Sequence, residues 1–225
     1  MERTRLFEQH LTPELRHTFC SLNSPHEIQN YLDSIPYRAE ELDRSPLRVM
    51  ADGQAHCLDG GYFAALALNR IGFPALVIDL VPELGLDDDH VLAVFKINGR
   101  WGALAKANYV GLRYREPVYL NLRELSMSYF EAYFNVKKQK TLRAYTRPLN
   151  LAQFDELPWM WDEGAVKIVN KHLYALKPIP LITPEMAAGL AVVDERSYKG
   201  GTLGLDFSWA YGNRPDSEIK AVKKK

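Results

Sequence analysis

The stretch Cys57-Leu58-Asp59-Gly60-Gly61-Tyr62-Phe63-Ala64-Ala65-Leu66-Ala67-Leu68-Asn69-Arg70 is long enough for a helix and apolar through its middle on nearly every side. A helix that is apolar all round has to be buried, so the rest of the chain must supply layers that cover it. Gly72 and Pro74 come next as stop signals. Ala75 to Val81 and His90 to Ile97 then read as β-strands rich in Val, Leu and Ile, and Asn98-Gly99 is the preferred pair for a tight hairpin leading into a strand over Arg100 to Leu104. A helix followed by hairpin-linked strands predicts an α+β fold, with the central helix packed on a mainly antiparallel sheet.

The remaining signals are local. Ser24-Pro25-His26-Glu27 fits a helix cap with a first-turn Pro, predicting a helix to about Ile35 that stops at Pro36. Tyr37 to Gly53 reads as polar and irregular, with Ser45-Pro46 as a breaker. Helices are predicted over Asn121 to Asn135 and Asp155 to Leu173, a strand over Leu142 to Arg147, and a short helix around Glu185 to Leu190. Gly200-Gly201 and Gly204 interrupt the chain beyond that helix. The expected organisation is a single domain over 1–225, with a core of about 25–150 and a C-terminal extension of about 151–225.

Composition bounds the function. The chain of 225 residues is 47% hydrophobic and balances 28 Lys+Arg against 28 Asp+Glu, which excludes extensive disorder. Zero formal net charge removes the simplest argument for a nucleic-acid partner. The basic tail Lys220, Lys223, Lys224 and Lys225 reads as a solvated terminus. Two cysteines, Cys20 and Cys57, make neither a disulfide framework nor a zinc motif. With no apolar run of signal or membrane-spanning length, the expectation is a cytoplasmic protein with reduced thiols and no membrane partner.

Chemistry concentrates in Ala51-Asp52-Gly53-Gln54-Ala55-His56-Cys57-Leu58-Asp59-Gly60-Gly61. A cysteine entering the first turn of a helix meets unsatisfied N–H groups and the positive end of the helix dipole, which favour the thiolate. The Cys57 backbone N–H and Gln54 are candidate oxyanion donors. Gly60 and Gly61 are poor helix formers, predicting close approach of substrate or another backbone. His90, at the start of a strand, is the candidate base. His56 would project away from the thiol, as a loop residue or an aid to the thiolate. Trp101 reads as a cleft-wall or substrate-binding residue. The run Asp87-Asp88-Asp89 lacks the spaced ligands and Gly of a calcium loop and reads as an acidic loop, so neither metal nor cofactor is expected.

The order Ile35-Pro36-Tyr37, Ser45-Pro46, Gly53-x-x-x-Cys57, Leu68-Asn69-Arg70-Ile71-Gly72-Phe73-Pro74-Ala75, His90 and Asn98-Gly99-Arg100-Trp101 resembles the core of the transglutaminase-like superfamily, as a bacterial-type stand-alone domain. The likeness covers about residues 30 to 110 and implies a papain-like arrangement, with Cys57 as nucleophile and His90 as general base. Where the family pattern carries an Asp after the Gly-x-Trp turn, this chain has Ala105 and Lys106. Asn108 is the nearest substitute and Asp88 an alternative; otherwise the site is a Cys–His dyad or degraded. The resemblance implies a thiol hydrolase or acyltransferase acting on a peptide, protein or small amide, with a peptidase or amidase favoured. The alternative is a non-catalytic module that binds a peptide or protein in the old cleft.

Overall fold

The structure is a computed structural model that describes residues 2–213; the basic tail falls outside them. Helices α1 (Glu2–Gln9), α2 (Pro13–Ser21), α3 (Pro25–Ser34), α4 (Pro46–Asp52) and α5 (Cys57–Arg70) precede the first strands, β1 (Leu76–Pro82), β2 (His90–Ile97), β3 (Arg100–Leu104) and β4 (Arg115–Tyr119). Then come α6 (Leu122–Met127), β5 (Leu142–Tyr145), β6 (Leu149–Asn150), α7 (Glu163–Tyr174), β7 (Ile179–Pro180), α8 (Pro184–Ala188) and α9 (Glu195–Gly201). The strands form one sheet in the order β4-β3-β2-β1-β5-β7, with β6 also paired to β1 and every pairing antiparallel. The fold is therefore α+β, as the helix–hairpin pattern predicts.

The sheet divides two cores. Val77, Val91, Ala93 and Phe95 point to the face where α5 lies, joined by Phe7, Phe19, Ile28, Leu32, Trp159, Val166 and Val169. The alternate residues Ile78, Leu80, Leu92 and Val94 point to the opposite face, where Tyr109, Tyr129, Tyr133, Phe134, Leu181 and Val193 cover them. The all-round apolar run of α5 is explained by this placement, since Tyr62 to Leu68 is buried throughout. At the hairpin Asn98 has φ 50° and Gly99 φ 77°, the left-handed pair of a type I′ turn.

The boundaries differ from the sequence reading where caps and aromatics intervene. Ser45-Pro46 begins α4 instead of breaking the chain: the Ser45 hydroxyl accepts the Arg48 N–H at 3.3 Å, and Pro46 occupies a first-turn position that needs no donor. Thr12-Pro13 opens α2 by the same device. α6 stops at Met127, eight residues before the expected Asn135, because Tyr129, Phe130, Tyr133 and Phe134 all turn into the outer-face core. α7 starts at Glu163 and not Asp155. Pro158 to Trp161 turn to bury Trp159 and Met160, and Asp162 caps the helix through the Ala165 N–H at 2.7 Å. The C-terminal part of the chain thus contributes Trp159, Val166, Val169 and Leu173 to the core that surrounds α5. Among the described residues, no helix is long and apolar enough to cross a membrane.

Candidate active site around Cys57

The N-terminal end of α5 is anchored by a buried ion-pair network. The Arg44 side chain is 1% exposed, and its guanidinium meets Asp52 at 3.1 Å, Asp59 at 3.6 Å and the carboxylate of Glu40. Asp59, fully buried, also accepts the Arg44 backbone N–H at 2.8 Å. A buried carboxylate survives only with such partners. The pairing also draws the loop before α4 against the first turn of α5, which brings Asp43 beside His56.

His56 caps α5. Its Nδ1 accepts the Leu58 N–H at 3.2 Å, and its own backbone N–H donates to Asp59 at 3.3 Å, closing a reciprocal capping box. Nε2 lies 3.2 Å from Asp59 Oδ1 and 3.7 Å from Asp43 Oδ1. Carboxylates only accept, so the proton sits on Nε2 and the Nδ1 lone pair faces the helix end. Asp43 is held in turn by the Asn170 amide at 2.9 Å, and Asn170 accepts from the Tyr62 hydroxyl at 2.8 Å. Burial alone would lower the His56 pKa. The Asp59 and Asp43 carboxylates and the Cys57 sulfur more than offset it and hold the imidazole well above its ordinary value.

Cys57 is 8% exposed, and its thiol points to the backbone carbonyl of Asp89 at 3.6 Å. Burial pushes its pKa up, the neighbouring His56 imidazole pulls it down, and the Asp89 carboxylate pushes it up again, leaving the resting group a thiol. Burial thus outweighs the helix end, which on sequence grounds favours the thiolate. Asp89 is raised to about 6 by its own burial and by the neighbouring Asp88, with the His56 imidazole and then the Tyr174 side chain pulling the other way. Tyr174, at the end of α7, is exposed.

The other residues singled out in the sequence have these surroundings. Val91 faces α5, so the strand pleat sends His90 to the opposite face. There its Nε2 donates to the Leu112 carbonyl at 2.8 Å, and its ring meets Tyr133 edge-on. Burial lowers the His90 pKa to about 4. The contacts of His90 with Leu112 and Tyr133 thus lie on the face away from α5. The Asn108 amide engages the backbone of Asp206, donating at 2.9 Å and accepting at 3.1 Å. The Asp88 carbonyl accepts from the Tyr133 hydroxyl at 2.6 Å, and Asp87 accepts from Thr141 at 2.7 Å, so the acidic run is divided among different partners. Trp101 packs on the outer-face core with Lys96 over its ring at 4.4 Å, away from α5. Gln54 is half-buried between Gly53 and the bridge that pairs Ala55 with Tyr37, on the segment leading into Cys57.

The glycine pair is explained by side chains and not by substrate. A Cβ on Gly60 would sit 2.3 Å from the Lys106 Cβ, and one on Gly61 would sit 2.7 Å from Val91 Cγ1. Lys106 itself is buried and donates to the Leu32 carbonyl at 2.7 Å at the end of α3, with burial lowering its pKa to about 8.

Sequence reasoning missed Asp43, Arg44, Asp59, Asn170 and Tyr174, and it read His56 as a loop residue or an aid to the thiolate and not as the helix cap. One local signal was available: His56 and Asp59 stand three apart across a helix start, the spacing of a capping box. Asn170 and Tyr174 are four apart on α7, a spacing that shares a face but does not say what the face meets.

No family model matches the chain, and no curated protein matches it. Among solved structures it is similar to Legionella pneumophila LapG. The EGTA-treated form matches with a TM-score of 0.37 at 16% identity, covering 51% of this chain and 73% of that one. The calcium-bound form matches with a TM-score of 0.35 at 16% identity, covering 47% and 70%. Likeness at this level does not extend to side-chain roles.

Proposed function

We propose that this protein is a thiol-dependent enzyme that breaks an amide through Cys57, with hydrolysis favoured over transfer to an amine. The observation that supports this reading is the convergence of a thiol, an imidazole and two carboxylates on the first turn of the central helix. Cys57 Sγ attacks the acyl carbon and the C–N bond breaks as the amine leaves with a proton. Water then hydrolyses the thioester. The Cys57 backbone N–H and the Gln54 amide are the donors offered to the oxyanion.

A second reading, a non-catalytic module that binds a peptide or protein, is favoured by one observation: the thiol is nearly buried and held protonated at rest. A panel of amide, ester and amine-acceptor substrates assayed with wild type and Cys57→Ala in parallel separates the two. Turnover lost in Cys57→Ala supports the enzyme. Turnover that survives the substitution removes Cys57 as nucleophile, and no turnover on any substrate favours the binding module.

A further inference from the structure

We propose that the segment 203–209 is an autoinhibitory strap, latched by Arg38 and Asn108 beside the head of α5, that restricts access to the Cys57 thiol until the latch opens. The inference rests on the thiol-enzyme reading above and gives that site a regulation.

The strap continues from α9, and its root is apolar. The Tyr198 and Phe134 rings lie 5.8 Å apart, Gly201 approaches Phe134 so closely that a Cβ there would sit 2.6 Å from the ring tip, and Leu205 is buried in the outer-face core. Beyond Leu205 the attachment becomes polar. The Asn108 amide brackets Asp206, donating to its carbonyl at 2.9 Å and accepting its N–H at 3.1 Å. The Asp206 carboxylate meets Arg38 at 3.1 Å, and the Arg38 guanidinium lies 5.8 Å from the centre of the Trp209 ring. The side chains of this ion pair are 34% and 43% exposed. Partly exposed polar contacts are individually weak, so a segment rooted by apolar packing and fastened by them opens at its tip first.

The two latch points flank the head of α5. Arg38 donates its backbone N–H to the Ala55 carbonyl at 3.0 Å, and Ala55 stands two residues before Cys57. Asn108 stands two residues after Lys106, the side chain that rests on the bare backbone of Gly60. Cys57 shares a side of the helix with Gly60 and Gly61, three and four residues on. Its thiol therefore faces the wall formed by Lys106 and Val91, with the Asp89 carbonyl 3.6 Å from the sulfur. Two residues of extended chain span at most about 7 Å. A strap held beside Ala55 at one point and just past Lys106 at the other runs along the rim of this site, where the thiol is only 8% exposed.

The test reads access and needs no substrate. Iodoacetamide alkylation of the full-length reduced protein is followed by peptide mass at a fixed pH, with Cys20 as the internal reference, in wild type, Asp206→Asn, Arg38→Gln and Arg38→Gln/Asn108→Ala. Backbone hydrogen exchange over 203–210 is measured on the same samples. Asn retains a side-chain oxygen for the Ser208 N–H that Asp206 caps. Each single change is expected to speed both strap exchange and Cys57 alkylation several-fold, up to about tenfold, the range of one weak ion pair with its hydrogen bond. The double variant should exceed either, and Cys20 should be unchanged throughout. Strap exchange that rises while Cys57 reacts at the wild-type rate overturns the proposal. Exchange unmoved in every variant overturns it too, because Arg38 and Asn108 then latch nothing, and so does an equal rise at Cys20, which marks general loosening.

Should the variants fail to fold, wild type alone decides. Salt screens the exposed Arg38–Asp206 pair, so the ratio of Cys57 to Cys20 alkylation should rise with ionic strength, and a flat ratio overturns the proposal. Failure of the thiol-enzyme reading looks different: alkylation and strap exchange rise together as expected, while Cys57→Ala leaves turnover intact.

Discussion

The two faces of the sheet each hold a buried histidine near β2, and burial ends in opposite results. On the outer face His90 sits among Leu112, Tyr133 and other apolar or aromatic side chains, donates one hydrogen bond to a carbonyl, and is lowered to about 4. On the α5 face His56 sits between Asp59 and Asp43 and is raised. Desolvation opposes the cation in both places; carboxylates within hydrogen-bond reach reverse the outcome in one. A histidine at a strand start therefore says little about chemistry until the pleat says which face it joins.

The contrast between the faces is most vulnerable at Arg44. Arg44→Ala leaves the fully buried Asp59 without its guanidinium, and removing one member of a buried pair costs about 3–5 kcal/mol. Urea unfolding should show that loss. A cost under about 1 kcal/mol, the range of an exposed pair, would mean that the carboxylates of the α5 face do not depend on this network.

The next effect belongs to the outer face. A histidine at about 4 in the fold and 6.5 when unfolded binds fewer protons folded, so its contribution is complete above 6.5 and falls away as pH drops toward 4. The full swing is about 3 kcal/mol. Wild-type stability should decline through that window, and His90→Gln should flatten the decline. Asp89 works in the opposite sense over overlapping pH. Its folded pKa of about 6 lies above the ordinary 3.8, so the stability it contributes is present below 3.8 and lost as pH rises through 6. Denaturant curves at several pH values, with Asp89→Asn alongside His90→Gln, separate the two slopes.

Smaller effects are expected on the α5 face. Gly61→Ala forces a methyl group against Val91 and should cost about 1–3 kcal/mol, read as a lower denaturation midpoint. An unchanged midpoint would show that the helix rides higher on β2 than described. Asp89→Asn removes a carboxylate that holds the Cys57 proton in place, so alkylation at neutral pH should speed up several-fold, within the tenfold of one pKa unit. Slower alkylation would reverse the sign assigned to Asp89.

Much of the frame is legible in the sequence because its signals are local. The run Tyr62 to Leu68, the Asn98-Gly99 turn and the Ser24 cap each fix their own neighbourhood, and α5, the β2–β3 hairpin and α3 lie where these features point. Ser45-Pro46 is ambiguous because Ser-Pro serves equally as a breaker and as a helix start, and Thr12-Pro13 and Thr183-Pro184 show that this chain uses such pairs for starts. The thiol at the head of α5 is legible as a position. Its neighbours are not, because Asp43, Asp89 and the α7 pair Asn170 and Tyr174 come from three parts of the chain that only the tertiary fold brings together. The face that His90 joins depends on strand parity and the surroundings of His56 on the buried Arg44–Asp59 pair, and neither can be had from spacing.

The Gly60–Gly61 pair has a mechanical consequence. With no methyl group between helix and strand, the first turn of α5 rests directly on Lys106 and Val91 and has no slack. The strand acts as a jig: the first turn of α5 cannot settle closer to β2 or slide along it without Val91 giving way. The position of residue 57 is therefore coupled to the sheet, through any change on β1 or β3 that alters the twist beneath the helix.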